Sequence, residues 1–223
     1  MIKEEIMIKT VLFDLDGTIV DSQLGVTRGV SYALKHFSII EEDLEKLRIF
    51  IGPPLKEQFQ AIYNMTEEDA ETAVKKYREH YHDGGGINDC TLYPDVEETL
   101  KELKEKGYQI SLASSKPAPA CVLLLEKFGI AHYFDIIGGA TFDGKISTKI
   151  QVLHDVMHRL GIDKKDEVVL IGDTKYDAEG AKEAGIGCIG ITYGFGTREE
   201  LNEAGTVFIC DTLREAVEYI ETH

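Results

Sequence analysis

From residue 87 onward, short apolar runs alternate with stretches of helical period, and this alternation limits the fold more than any other feature of the chain. The spacing predicts helices over residues 96–106, 118–128, 150–160 and 178–184, with Gly107 closing the first. Strands are expected over 108–113, 134–138, 167–171 and 186–191, then a strand near Val207 and a terminal helix. Strands separated by helices cannot be joined as hairpins. They predict an α/β fold, a doubly wound parallel sheet of Rossmann-like type, with ligands gathering at the carboxyl ends of the strands. An earlier apolar run, Val11-Leu12-Phe13, supplies one more buried strand. Residues 21–86 read differently. Helices are expected over 25–37, 41–51, 54–63 and 66–81, with Thr66 and an acidic first turn opening the last. Gly52-Pro53-Pro54 interrupts this block and Gly84-Gly85-Gly86 closes it. The expected organisation is a core of residues 1–20 and 87–223 that carries the site, with residues 21–86 inserted as a small α-helical cap domain.

Composition narrows the function. A chain of 223 residues with 43% hydrophobic and 29% charged residues has the make-up of a soluble globular protein. Its formal net charge of −16 argues against binding nucleic acid or an anionic membrane, since no excess of cations replaces counterions. A small phosphorylated metabolite needs only a local positive site and stays compatible. Cys90, Cys121, Cys188 and Cys210 show no Cys-x-x-Cys spacing, which points away from a zinc knuckle and toward reduced thiols in apolar surroundings. Residues 1–9 alternate charge with aliphatics, and no apolar run approaches the length of a membrane span. The expected setting is cytoplasmic, as a monomer or weak homodimer.

The candidate chemistry sits at strand ends. The first strand runs into Asp14-Leu15-Asp16-Gly17-Thr18. Side chains two apart on extended chain point the same way, so both carboxylates are expected to face one site and to need a cation, a proton or a substrate as balance. The strand 108–113 ends in Ser114-Ser115-Lys116-Pro117, where a hydroxyl, a lysine and a proline-containing helix start make an anion site. Taken alone, this segment serves equally well as a helix cap. The strand 167–171 ends in Gly172-Asp173-Thr174-Lys175-Tyr176-Asp177. Hard oxygen ligands converging from several strand ends suit Mg²⁺. Lys149, before the helix 150–160, carries a charge able to hold a phosphoryl oxygen, and spacing leaves Lys145 as its competitor. His154 and His158, four apart on that helix, fall at the edge of its apolar stripe and read as a surface pair rather than a zinc site.

In this order, Asp14-Leu15-Asp16-Gly17-Thr18, Ser114, Lys149 and Gly172-Asp173-x-x-x-Asp177, the chain resembles the haloacid dehalogenase superfamily of phosphohydrolases nearly end to end. The helical insert is similar to that family's small cap. Tyr93-Pro94-Asp95-Val96 resembles the return into the core, where glycine commonly stands in place of Asp95. Ile51-Gly52-Pro53-Pro54-Leu55 and Thr192-Tyr193-Gly194 favour the phosphoglycolate phosphatase and bacterial 5′-nucleotidase neighbourhood. Ser114-Ser115-Lys116 departs from the Thr-Asn-Lys usual in phosphoglycolate phosphatases.

The resemblance implies hydrolysis of a small phosphate monoester through an aspartyl-phosphate. Asp14 is then the nucleophile and Asp16 the acid and base. Mg²⁺ falls to Asp14, the Asp16 carbonyl and Asp173, with Asp177 close by. Ser114 and Lys149 hold the phosphoryl group, and Thr18 supports the loop. Arg48, Gly52 and Lys56 become candidates for substrate contact in the cap. A phosphoglucomutase-like phosphotransferase would use the same motifs, and a non-catalytic phosphoacceptor switch shares the aspartates and lysine but has no cap. A dehalogenase is disfavoured by Asp16.

Overall fold

The computed structural model describes residues 7–223. The first residues of the expected core segment, 1–6, lie outside the described residues. The chain forms two compact units: residues up to Ile19 together with Leu92–His223, and Val20–Thr91.

The first unit is built on a six-stranded sheet: β1 (Thr10–Phe13), β4 (Gln109–Pro117), β5 (Ile136–Ala140), β6 (Val168–Gly172), β7 (Gly187–Ile191) and β8 (Phe208–Cys210). The order is β5-β4-β1-β6-β7-β8 and every pairing is parallel. Strand order reverses about β1, so the crevice beyond its carboxyl end lies between β4 and β6, where doubly wound sheets bind ligands. Between the strands run α4 (Val96–Glu105), α5 (Ala118–Lys127), α6 (Lys149–Leu160), α7 (Lys175–Ala184) and α8 (Arg198–Ala204), and α9 (Leu213–Thr222) follows β8.

Alternate residues of the central strands face opposite ways. Leu12 and Leu170 join Val152, Leu153, Val156, Ala178 and Ala181 of α6 and α7 in one apolar cluster. Val11, Phe13, Ile110, Leu112, Val169 and Ile171 point to the other face and are equally buried. Burial of both faces is why these strands read as continuous apolar runs. Gly138 lets α6 approach β5, since a Cβ there would come within 2.1 Å of Val156.

The second unit is helical: α1 (Gln23–His36), α2 (Leu55–Tyr63) and α3 (Glu67–Arg78), with a π turn over Glu79–Asp83. Thr66 caps α3, its Oγ1 accepting from the Asp69 N–H at 3.1 Å. Phe59 and Tyr77 are buried in this unit, and Tyr63 is half-buried. The expected helix over 41–51 is instead a 3-10 run, Leu44–Phe50, opened by Asp43. Only Leu47 and Phe50 of it are buried, three apart, which is the 3-10 period. The unit reaches Thr91 rather than residue 86. Residues 86–89 pack on α1, with the Gly25 N–H donating to the Asp89 carbonyl at 3.1 Å, and a Cβ on Gly25 would come within 2.4 Å of the Gly86 carbonyl oxygen. The segments β2 (Val20–Asp21) and β3 (Thr91–Leu92), where the chain passes between the units, pair as a two-stranded sheet.

All four cysteines are free, with Cys121, Cys188 and Cys210 buried. Among the described residues, no helix is long and apolar enough to cross a membrane.

Asp95, before α4, has φ 60° and ψ 9°, a left-handed conformation that explains why glycine suits this place. Its side chain is exposed. A β-branched residue should therefore act through the backbone alone, and Asp95→Val is expected to lower stability by about 1–2 kcal/mol. Urea unfolding measures this, and an unchanged midpoint would contradict the left-handed assignment.

Candidate active site

Asp14 continues β1 by one residue, its N–H donating to the Ile171 carbonyl at 2.9 Å. That hydrogen bond places it at the carboxyl end of the sheet, flanked by Ala113 of β4 and Gly172 of β6. Its side chain follows the parity of Leu12, toward the face covered by α6 and α7. Lys149 is the first residue of α6, opened by a Thr148–Gln151 capping box. Its Nζ lies 2.6 Å from Asp14 Oδ1, 2.7 Å from Asp177 Oδ1 and 2.9 Å from the Ala113 carbonyl oxygen. Gly180 of α7 makes room for the lysine stem, since a Cβ there would come within 2.6 Å of Lys149 Cγ. Lys145, the competing lysine, is exposed in the loop before α6 and pairs with Asp143. Geometry separates two lysines that spacing left equivalent.

Asp173 and Asp177 come from the β6–α7 junction. Asp177 caps α7 and serves the cluster at once: Oδ2 accepts from the Thr174 N–H (3.0 Å) and Oγ1 (2.7 Å), while Oδ1 meets Lys149. Asp173 is completely buried. It accepts from Thr18 Oγ1 at 3.1 Å and from the Phe195 N–H at 2.7 Å. Glycines enclose it: a Cβ on Gly17 or Gly194 would come within 2.0 or 2.3 Å of its Oδ2, and one on Gly196 within 2.3 Å of its carbonyl oxygen. Tyr193 braces the first loop by donating its hydroxyl to the Thr18 carbonyl at 2.7 Å. Burial, with Asp173 nearby, raises the Tyr193 pKa and keeps that donor protonated.

The two leading aspartates do not share a partner. β1 ends at Phe13, and Gly17 turns the chain with φ +88°, so the extended-chain expectation for residues two apart does not carry past the strand. Asp14 meets Lys149, whereas Asp16 Oδ2 lies 3.0 Å from Lys116 Nζ. Ser114 is buried and its Oγ accepts from the Lys116 N–H at 3.3 Å. β4 runs on through Pro117 with a bulge after Ser114 instead of ending at Ala113. Lys116, expected as the cation of an anion site, thus pairs with Asp16, Tyr193 braces the Thr18 loop, and the Phe195 N–H is a site component beyond the expected set.

One carboxylate oxygen each from Asp14, Asp173 and Asp177 lie within 4.8 Å of one another. Burial pushes the Asp14 pKa up to about 6, with Asp177 and Asp16 adding to the rise against the pull of Lys149. Burial, then Asp177 and Asp14, push Asp173 well above the carboxylate range. Burial alone would depress Lys149, but Asp14 and Asp177 overcome it and hold the ammonium charged. The cluster is thus short of positive charge, and its buried all-oxygen donor set fits a hard divalent cation.

The remaining expected residues make contacts within their own unit. His154 and His158 are exposed on α6. Arg48 pairs with Glu45, and Lys56 with Glu67 and Glu71, all inside the helical unit. Gly52 follows the 3-10 run with φ +104°.

A family model of haloacid dehalogenase-like hydrolases matches residues 11–191. A 5′-nucleotidase of Pseudomonas aeruginosa is 33% identical over 213 residues, covering 96% of both chains. A phosphoglycolate phosphatase of Vibrio parahaemolyticus is 30% identical over 221 residues, again covering 96% of each. The crystal structure of a protein from Clostridium acetobutylicum, described as a predicted phosphatase, superposes with a TM-score of 0.93 at 42% identity, covering 97% of this chain and 100% of that one. With Asp14 and Asp16 opening the matched segment and Asp173 and Asp177 near its end, the chain belongs to the haloacid dehalogenase-like hydrolases and stands among their phosphatases.

Proposed function

We propose that this protein hydrolyses a small phosphate monoester, of the kind taken by phosphoglycolate phosphatases or 5′-nucleotidases, with Mg²⁺ as cofactor and Asp14 as nucleophile. The observation that carries the reading is the contact of Asp14 with Lys149 at 2.6 Å beside the Asp173 and Asp177 carboxylates. It supports a carboxylate held in place, and made reactive, at the crevice of the sheet.

Asp14, Asp173 and Asp177 offer the acidic donors for Mg²⁺, with the Asp16 carbonyl completing the proposed set. When bound, the cation supplies charge neutralisation for an incoming phosphate dianion. Asp14 attacks phosphorus and carries the phosphoryl group as an aspartyl-phosphate. Asp16 gives a proton to the leaving oxygen and later takes one from the water that hydrolyses the acyl phosphate. Lys149 holds Asp14 in line and, with Ser114 at the end of β4, offers hydrogen bonds to phosphoryl oxygens as charge spreads over them. Thr18 fixes Asp173 through its hydroxyl. The helical unit, with Arg48, Gly52 and Lys56, is proposed to select the leaving group.

Asp14→Asn should lower release of inorganic phosphate from a simple ester by about 10³-fold or more, the scale on which removing a nucleophile acts. Circular dichroism should show an unchanged fold. Retained turnover would refute the assignment, and a phosphoryl group returned to the substrate instead of released would identify a phosphotransferase.

Mg²⁺ should raise the melting temperature of the wild-type protein, because a ligand bound only by the folded state stabilises it by about 2.7 kcal/mol at a hundred times Kd. Asp173→Asn should abolish the shift, and EDTA should abolish activity. Equal shifts in both proteins would exclude Asp173 as a ligand.

A further inference from the structure

Lys116 lies at the end of β4 just before α5, and its backbone is fixed from three sides. Its N–H donates to Ser114 Oγ, and its carbonyl accepts from Cys121 Sγ at 3.5 Å. On β5, a Cβ at Gly139 would come within 2.6 Å of the Lys116 carbonyl oxygen. From this mount the ammonium reaches Asp16 Oδ2 at 3.0 Å, the two side chains being 7% and 11% exposed. A pair so withdrawn from water is weak evidence for stabilisation, because desolvation of both ions offsets their attraction. Its other oxygen is more telling. Asp16 Oδ1 is buried and, among the described residues, has no hydrogen-bond partner. A carboxylate with one oxygen anchored and the other bare beside a nucleophile has the form of an aimed proton carrier.

Resting on the phosphatase reading above, we infer that Lys116 is a positioning residue for Asp16, pinning Oδ2 so that Oδ1 is the atom that exchanges the proton. In the first half-reaction the Asp14 oxygen–phosphorus bond forms and the phosphorus–ester oxygen bond breaks. The Oδ1 proton passes to the departing oxygen and the alcohol leaves. In the second, Oδ1 takes a proton from water as the water oxygen bonds to phosphorus and the Asp14 oxygen–phosphorus bond breaks. Inorganic phosphate leaves and Asp16 regains its proton, so no further reactant is needed. Lys116 acts on both halves only through Asp16.

A double-mutant cycle on the Mg²⁺-loaded enzyme tests this. Lys116→Met should lower kcat for an alkyl phosphate by about 10²-fold, the scale of general acid–base help, with KM changed less than about threefold. Lys116→Arg, which keeps the cation, should recover at least about a tenth of the wild-type kcat. On an Asp16→Asn background, assayed at high enzyme concentration, Lys116→Met should change kcat by less than about threefold, because the group it aims is gone. The Lys116→Met loss in kcat/KM should also shrink for p-nitrophenyl phosphate, whose leaving group departs without a proton. Equal losses on both backgrounds, a loss confined to KM, or an arginine variant as impaired as methionine would overturn the inference. A wild-type protein that releases no phosphate would refute the phosphatase reading itself, and the inference would fall with it.

Discussion

A buried ammonium between two buried carboxylates sets the terms for the rest of the site. Lys149 Nζ contacts Asp14, Asp177 and the Ala113 carbonyl, and so ties together the end of β1, the middle of β4 and the first turns of α6 and α7. None of the three charges could be buried alone. Removing one partner of such a cluster strands the others, at a cost on the order of 3–5 kcal/mol. The surrounding sequence accommodates this requirement. Gly180 clears the path of the lysine stem, and Gly172 clears Asp177, whose Cβ a side chain at 172 would meet at 2.4 Å. These glycines serve close approach rather than backbone freedom.

Around that centre the charges divide into two groups with different tasks. Asp14 and Asp177 share Lys149, and together with Asp173 they are left short of positive charge, which suits a metal and a phosphate. Asp16 stands two residues further along the chain with a lysine of its own. The separation gives two neighbouring carboxyls distinct surroundings, as a nucleophile and an acid–base group require. Thr18, Tyr193 and the Phe195 N–H hold the first loop and Asp173 in register.

Much of this was legible in the sequence. Strand and helix periods marked the core because both faces of the sheet are buried, and the strand-end aspartates followed from where those runs stop. What escaped depended on tertiary placement or on weak local signals. Lys145 and Lys149 lie four residues apart in sequence, and only the tertiary contacts of Lys149 with Asp14, Asp177 and the Ala113 carbonyl separate them. Lys116 was visible as a cation in an anion-binding turn, but its pairing with Asp16 joins residues a hundred positions apart. The helix α8 went unanticipated although Thr197, Glu200 and Gly205 spell a capping box and a left-handed stop around it. The run Leu44–Phe50 reads as an α-helix because Leu44, Leu47 and Phe50, three apart, satisfy the α and the 3-10 period alike.

In the proposed reaction the phosphoryl group passes through Asp14. The most direct measurement is acid quenching of a single turnover with a ³²P-labelled phosphate ester, followed by mapping of the labelled peptide. Transient label is expected on the peptide containing Asp14, forming and decaying at rates consistent with phosphate release. Complete turnover with no labelled protein at any time, or label on a peptide without Asp14, would contradict it.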